Sequence, residues 1–375
     1  MFGGLSVGTH SLMAYVKGDM TMSASAVSQV VRVSGLSRAS SYPQLRYMGS
    51  KYRLLPILDD VFGQLGGRTA MDPFAGSGVV SYLLKARGYS VTTRDYLNFP
   101  VTLAEASCVN QTEQLTGDDI QAIAEAGNAD GRDFISRTYR DRFFTGEDLN
   151  FLDAAWSQLA LLQGPKRQLA IASLVLSAAR KQPRGVFTVT GLRYDDGRAQ
   201  LHRPLAEQFV ECAGAWNSAV FQGAPCQAVR GDVAEADPTG IDVVYLDPPY
   251  APPRDDNDYL KRYWFLEGLS DYWQDGTAAV MEGTKTRKLP KRPTAFGSRR
   301  TINDALNAVF EQFRDSAIVL SYGSNAVPGL DALVGMLRDV KGSTPEVLTL
   351  KHRYHFGTHL AATRREALEY VVVST

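Results

Sequence analysis

The sequence is poor in cysteine and carries no net charge. Three of its 375 residues are cysteines (Cys108, Cys212 and Cys226), and none stands in a C-x-x-C spacing. This argues against disulfides and a structural zinc site, and it fits a reducing cytosol. Forty Lys and Arg balance forty Asp and Glu, so local basic patches would have to bind any polyanion. We therefore expect no metal and a cytoplasmic location.

Long apolar runs are also missing. No run approaches the ~20 residues that span a bilayer, and no basic segment followed by an apolar one opens the chain. We expect no membrane partner and no secretory signal. Residues 1–40 are rich in Ser, Gly, Ala and Val without lasting periodicity, which predicts a poorly ordered N-terminal extension. The hydrophobic fraction, 44%, is ample for a core in the remainder.

One stretch stands out, the corner Asp247-Pro248-Pro249-Tyr250. The apolar, β-prone run before it, 243–246, predicts a strand buried in a sheet. Two prolines then stop the strand, because neither can donate to a ladder and each fixes its own φ. The carboxyl end of a strand is where open α/β sheets bind ligands. A carboxylate and an aromatic ring at a stiff corner are suited to grip a planar, amino-bearing ring by its edge and its face.

A glycine-rich turn joins another predicted strand to a helix. The strand ends at Asp72, and a loop containing Gly76 and Gly78 enters a helix near Val79. Glycines let the backbone approach a ligand, and a helix N-terminus offers free N–H groups. The loop lacks the Gly-Lys-Ser/Thr of a P-loop, so a nucleoside triphosphate is not expected. Asp95 ends the next strand, where it can take the ribose hydroxyls of an adenosine-containing cofactor.

The remaining segments divide the chain into a core with an insertion. We predict a core in two parts, 41–110 and 227–375, and a mostly helical insertion at 111–226 as the candidate target-recognition region. Lys51 lies in a glycine turn ahead of the Gly76 loop, where a site role and a solvated surface lysine are both open. Segment 283–300 holds seven basic residues, no acid and two prolines. It predicts a non-helical loop that contacts nucleic acid through Lys285, Arg287, Lys288, Lys291, Arg292, Arg299 and Arg300.

Taken in order, the motifs YMGSK, DPFAGSG, TRD, GD and LDPPY resemble those of the DNA adenine-N6 methyltransferases whose recognition insertion precedes the DPPY corner. The resemblance implies an α/β fold: a Rossmann-like class I methyltransferase sheet with helices on both faces and a terminal antiparallel strand pair. It also implies S-adenosylmethionine as cofactor and duplex DNA as partner, with the target base flipped out of the helix. The protein would be paired with a cognate restriction endonuclease or stand alone.

The same resemblance implies roles for individual residues. Asp247 and the Pro248 carbonyl would accept the two N–H bonds of the adenine amine, and Tyr250 would stack on the base. Pro249 completes the catalytic corner. Two departures are that Asp72 stands where many relatives have Asn and Val233 where a Phe is common. The implied cofactor residues are Tyr47, Lys51, Asp72, Pro73, Phe74, Gly76, Gly78, Asp95, Asp232 and Val233.

Two alternatives stay open. Related corners serve cytosine-N4 methylation and base methylation of RNA, although Asp rather than Ser before the two prolines favours adenine. A non-catalytic DNA-binding relative is the alternative of a different class. Intact DPPY and DPFAGSG motifs argue against it, because a degenerate relative would be expected to lose one of them.

Overall fold

The computed structural model describes residues 35–188, 197–251, 258–274, 280–354 and 365–375. The predicted N-terminal extension, 1–40, lies outside these residues except for its last six. The described residues belong to one compact unit that begins at Ser34. In the part of the chain described here, no helix combines the length and the apolar character needed to cross a bilayer.

The described chain alternates strands and helices at its two ends and is helical in the middle. The helices are α1 Leu36–Ser40, α2 Leu55–Leu65, α3 Val79–Ala86, α4 Asn98–Ala104, α5 Gly117–Ala124, α6 Phe134–Thr138, α7 Gly146–Leu159, α8 Gly164–Arg180, α9 Leu205–Ala219, α10 Leu260–Asp271, α11 Ile302–Gln312 and α12 Leu330–Lys341. The strands are β1 Thr69–Asp72, β2 Ser90–Asp95, β3 Gln227–Arg230, β4 Val243–Leu246, β5 Ala317–Gly323, β6 Glu346–Tyr354 and β7 Arg365–Ser374.

A seven-stranded sheet in the order β3-β2-β1-β4-β5-β7-β6 forms the centre. The first five strands in this order are parallel, while β7 is antiparallel to both β5 and β6. The predicted α/β class I sheet with an antiparallel pair at its end is confirmed. Because β1, β2, β3 and β4 run the same way, the loops that follow them meet at one edge of the sheet.

Alternate residues of the central strand β4 pack into two different cores. Val243 and Tyr245 join a core with α2, α3 and the insertion, whereas Val244 and Leu246 join a core with α11 and α12. This follows from strand geometry, in which successive side chains point to opposite faces. Burial on both faces explains why β4 reads as a continuous apolar run in the sequence.

The helices α5 to α9 occupy the connection between β2 and β3, where the insertion is predicted. Buried residues of α7, α8 and α9, such as Leu152, Leu174 and Trp216, belong to the same core cluster as Leu58 of α2. The insertion therefore packs against one helical layer of the sheet and shares its core. Its boundaries, 111 and 226, stay a prediction.

Candidate active site

A cavity open to solvent, with about 740 Å³ of empty space including its mouth, lies at the carboxyl edge of the parallel strands. The loops that follow β1, β2, β3 and β4 all contribute to its wall, and so does the turn that precedes α2. It therefore brings together residues separated by more than half of the sequence. The predicted site residues that line it are Tyr47, Lys51, Asp72, Pro73, Phe74, Gly76, Asp95, Asp232, Val233, Asp247 and Pro249.

Three predicted site residues lie beside the cavity and do not line it. Gly78 begins α3 with φ of 78°, and a Cβ there would lie 2.7 Å from the Tyr42 hydroxyl. Pro248 is buried. Tyr250 packs on Tyr322, with 5.0 Å between the ring centroids.

The corner after β4 holds a compact ionic network. Lys51 lies 2.8 Å from Asp247 (Nζ to Oδ2), and its side chain is only 5% exposed. The Lys51 ammonium also donates to the Gly49 carbonyl at 2.5 Å. The Tyr250 hydroxyl lies 3.2 Å from the other Asp247 oxygen. Both carboxylate oxygens are thus held, so the carboxylate has a fixed orientation at the cavity wall. Of the two roles left open for Lys51, the surface lysine is wrong, because the ammonium is buried in this network.

Burial raises the pKa of Asp247 to about 6. The Lys51 charge and its hydrogen bond oppose this rise, whereas a second carboxylate, Glu369 of β7, adds to it. Glu369 accepts from the Tyr250 hydroxyl at 2.6 Å and lies 3.6 Å from the Lys51 ammonium. Nothing in the sequence singles out Glu369 as a site residue. It lies 119 positions from Tyr250, at the far end of the chain, with no motif around it.

The glycine loop after β1 is held by Asp95. One Asp95 oxygen accepts from the Gly76 N–H and the other from the Leu97 N–H, both at 2.9 Å. Gly76 has φ of 51°, a conformation that favours glycine. Burial raises the pKa of Asp95 to about 6, against the effect of these backbone hydrogen bonds. Asp95 therefore shapes the loop, in addition to lining the cavity where its predicted ligand would lie.

Two buried oxygens at the cavity wall have no hydrogen-bond partner among the described residues. Asp72 uses one oxygen to accept from the Ser81 hydroxyl at 2.7 Å, while its other oxygen, Oδ1, is unpartnered. The Ser50 hydroxyl is unpartnered as well. Burial raises the pKa of Asp72 to about 7. Buried polar atoms are normally paired, so these two are positions where a polar ligand gains hydrogen bonds.

Aromatic rings form the side of the cavity that the N-terminal turn contributes. Tyr47 stacks on Tyr263 of α10, with ring centroids 4.7 Å apart and planes at 14°. Tyr259 lies 5.6 Å from Tyr47 and also lines the cavity. Neither Tyr259 nor Tyr263 is among the site residues predicted from the sequence. The spacing of four between Tyr259 and Tyr263, which puts both rings on one helix face, was the available signal.

At the opposite wall lie Val233 and Phe296. Val233 is buried, and the Asp232 side chain accepts from the Ala234 N–H at 3.0 Å, which caps a 3₁₀ turn. Phe296 packs edge-on against Phe74, with centroids 4.9 Å apart, and lines the cavity. Because Phe296 belongs to segment 283–300, the predicted nucleic-acid loop reaches the cavity, a connection that the sequence did not reveal.

The basic residues of that loop differ in their surroundings. Lys285, Lys291, Arg299 and Arg300 are exposed, whereas Arg287, Lys288 and Arg292 are partly buried. Arg292 lies 3.4 Å from the buried carboxylate of Glu267, which also accepts from the first N–H groups of α4.

The loop backbone is tied to the insertion. The Lys285 carbonyl accepts from the Arg142 guanidinium at 3.2 Å, and the Arg287 carbonyl accepts from the Tyr139 hydroxyl at 3.4 Å. The loop and the insertion thus join into one surface. Within the described residues, no group of three or more His, Cys, Asp or Glu side chains could hold a metal ion.

Comparison with known proteins gives a consistent result. The family model of the D12 class N6 adenine-specific DNA methyltransferases matches residues 47–153. The chain is 31% identical over 251 residues to the Type II methyltransferase M2.HphI of Haemophilus parahaemolyticus, which covers 63% of this chain and 72% of that protein. It is 22% identical over 322 residues to the modification methylase LlaI of Lactococcus lactis subsp. lactis, covering 78% of this chain and 48% of the relative.

Proposed function

The chain belongs to the D12 class N6 adenine-specific DNA methyltransferases, and we propose that the cavity at the edge of its sheet is where methyl transfer takes place. The protein methylates the N6 amine of adenine in DNA. The observation that carries the assignment of the site is the shared cavity: Asp247 of the proline corner and Gly76 of the glycine loop line the same space. A carboxylate that grips an amine and a loop that binds a cofactor must be neighbours for transfer to occur.

S-adenosylmethionine, the usual methyl donor of methyltransferases, supplies an activated methyl group when it is bound. The wall suits it: the unpartnered oxygens of Asp72 and Ser50 offer hydrogen bonds to its polar groups. The Gly76 loop allows close backbone approach, and Asp95 and Asp232 are the carboxylates for its ribose and adenine.

The chemistry proposed for the corner follows from the electronic structure of adenine. The N6 lone pair is delocalised into the ring, which makes the amine a poor nucleophile. The Asp247 carboxylate and the Pro248 carbonyl would accept its two N–H bonds and so free the lone pair. The carboxylate also faces the positive charge that develops on the amine. Tyr250 would stack on the flipped base, which offsets part of the few kcal/mol that flipping costs.

The surface formed by segment 283–300 and the insertion is the proposed DNA contact. Its exposed cations, Lys285, Lys291, Arg299 and Arg300, would neutralise phosphates. The names of the two relatives, a Type II methyltransferase and a modification methylase, favour a role in a restriction-modification system. A cognate endonuclease is part of that proposal.

Transfer of a tritiated methyl group from S-adenosylmethionine to duplex DNA and, in parallel, to RNA tests the function. We expect label in duplex DNA alone, recovered as N6-methyladenine after digestion to nucleosides. Label recovered as N4-methylcytosine, or in RNA only, would contradict the function. The Asp247→Asn variant tests the site: undiminished transfer would show that the reaction takes place elsewhere.

A further inference from the structure

Glu369 is a buried carboxylate on β7, the last strand along the chain, and its side chain contacts the catalytic corner. The residue is 6% exposed. A charged side chain is rarely buried to this extent unless it is paired, and its partners then indicate its role. Its partners include Tyr250 and Lys51, two residues of the proposed site.

The antiparallel direction of β7 explains this position. β5 ends at Gly323 on the active edge of the sheet, and Gly323 pairs in register with Glu369. Because β7 runs opposite to β5, its first half lies at the edge where the parallel strands end. A residue close to the C-terminus of the chain thus reaches a corner formed by β4.

The contacts of Glu369 constrain two groups at once. Its Oε1 atom accepts from the Tyr250 hydroxyl at 2.6 Å, a shorter contact than the 3.2 Å from that hydroxyl to Asp247. The same atom lies 3.6 Å from the Lys51 ammonium, which is 2.8 Å from Asp247. The Tyr250 ring is packed against Gly323 on the other side, where an added Cβ would lie 3.2 Å from it. Glu369 therefore fixes the position of the hydroxyl end of the Tyr250 ring and shares Lys51 with Asp247.

We propose that Glu369 is a positioning residue for methyl transfer, which orients the Tyr250 ring for the target base and, through Lys51, holds the Asp247 carboxylate toward the amine. The proposal rests on the proposed function of the site. A residue with this role acts on the rate of transfer without touching the cofactor, since Glu369 does not line the cavity.

The pH dependence of methyl transfer distinguishes a positioning role from a purely structural one. If Glu369 had only a structural role, removing its charge would leave the pH profile unchanged. The Glu369 charge raises the pKa of Asp247, while Lys51 and the Tyr250 hydroxyl lower it. Burial raises the pKa of the other groups that face Asp247 from β1, β4 and the start of α10, and the Asp247 charge adds to each rise. These groups belong to the same electrostatic cluster: Asp72, Tyr245 and Tyr259. An Asp247 that must be ionised for transfer gives a fall in kcat/KM on the acid side, near pH 6.

The test is Glu369→Gln, which keeps the shape of the side chain and an acceptor for Tyr250 but removes the charge. We expect kcat to fall on the order of tenfold, as for a weakened charge-assisted hydrogen bond. The acid limb of kcat/KM for DNA, measured with S-adenosylmethionine saturating, should move to lower pH by about one unit. The dissociation constant for the cofactor should stay unchanged.

Two further variants complete the design. Glu346→Gln makes the same chemical change at an exposed position of the neighbouring strand β6, and it should match the wild type in every measurement. Tyr250→Phe removes the hydroxyl that lowers the pKa of Asp247, so its acid limb should move to higher pH. The two site variants therefore shift the profile in opposite directions. Tyr250→Phe also removes the hydrogen bond to Glu369 at 2.6 Å, so its kcat should fall, and this tests the positioning of the ring if Glu369→Gln does not fold.

Three results would overturn the proposal: wild-type kcat in Glu369→Gln, a reduced kcat in that variant with the acid limb unmoved, or wild-type kcat in Tyr250→Phe, which lacks the hydrogen bond to Glu369. The second of these would make Glu369 a structural brace only. None of them touches the proposed function, because the wild-type enzyme in the same assay either methylates adenine or does not.

Discussion

Replacing Asp247 by Asn tests the central assumption about the corner. The substitution keeps the size of the side chain and one acceptor oxygen. It removes the negative charge that pairs with Lys51 at 2.8 Å and the second acceptor, which Tyr250 approaches at 3.2 Å. The Asp247→Asn variant should still fold. Burial raises the pKa of Asp247 to about 6, so the ionised carboxylate contributes little to the stability of the folded state at neutral pH.

The size of the effect follows from what the carboxylate is asked to do. A hydrogen bond to a charged group contributes about 1.5–3 kcal/mol, and this bond would form to the N–H of the amine. Removing one electrostatic stabiliser from a transition state costs about 10²–10³ in kcat. We expect kcat to fall by about 10²–10³, since the negative charge of the carboxylate stabilises the positive charge that develops on the amine during transfer.

Single-turnover methylation of a duplex oligonucleotide, with S-adenosylmethionine saturating, measures this loss directly. The acid limb near pH 6 should also disappear, because Asn does not titrate in this range. Asp237→Asn, at an exposed turn, is the matched control and should leave rate and profile unchanged. If Asp247→Asn methylates within threefold of the wild-type rate, or keeps the acid limb, the carboxylate is not the group that activates the amine.

Three further predictions concern the cofactor loop, the DNA surface and stability. In Gly76→Ala the backbone must keep a φ of 51° and the new Cβ lies 2.8 Å from the Tyr47 ring, so the dissociation constant for S-adenosylmethionine, measured by calorimetry, should rise about tenfold. Lys285→Ala with Lys291→Ala should weaken DNA binding and reduce the slope of log K against log salt by about 2, with kcat at saturating DNA unchanged. Without cofactor, the unfolding midpoint should fall as pH rises from about 4 to about 7, because the folded carboxyls of Asp72, Asp95 and Asp247 keep protons that the unfolded chain releases.

Each of these has a matched control. Gly117→Ala changes a glycine of α5 with open space around it and should not affect cofactor binding. Arg338→Ala on α12, 57% exposed, removes a charge outside the proposed DNA surface and should leave the salt slope unchanged. Asp72→Asn, the test variant for the pH dependence, should reduce the fall of the midpoint without abolishing it, because Asp95 and Asp247 also have raised pKa values. A cofactor affinity, a salt slope or a pH dependence that does not change in the test variants would contradict the corresponding assignment.

The parts of the site that could be predicted from the sequence are those encoded by short stretches of consecutive residues. β4 and its proline corner lie within the eight residues 243–250, and β1, the glycine loop and α3 lie within the eighteen residues 69–86. Apolar runs, glycines and prolines act within that distance, so the strand ends at Asp72 and Leu246 agree with the predicted positions. The predicted roles of the residues there are a separate matter that the proposed variants address.

Other parts of the site depend on tertiary contacts that no local pattern encodes. The stack of Tyr47 on Tyr263 joins residues more than 200 positions apart. The approach of Phe296 to Phe74 requires the basic loop to fold back over the sheet. Asp95 was expected at a cofactor, but its hydrogen bond to Gly76 exists only because the loops after β1 and β2 are adjacent in the sheet.

The position of Glu369 is determined by the two cores of the protein. Val371 packs into the core on the α2 side and Val372 into the core on the α11 side. Since alternate residues of a strand share a face, Glu369 lies on the same face as Val371. Tyr245, two residues before Asp247, belongs to that same core. A shift of β7 by one residue would move Val371 and Val372 to the opposite faces of the sheet and would turn Glu369 away from the corner. The packing that stabilises the sheet therefore also keeps this carboxylate beside Tyr250.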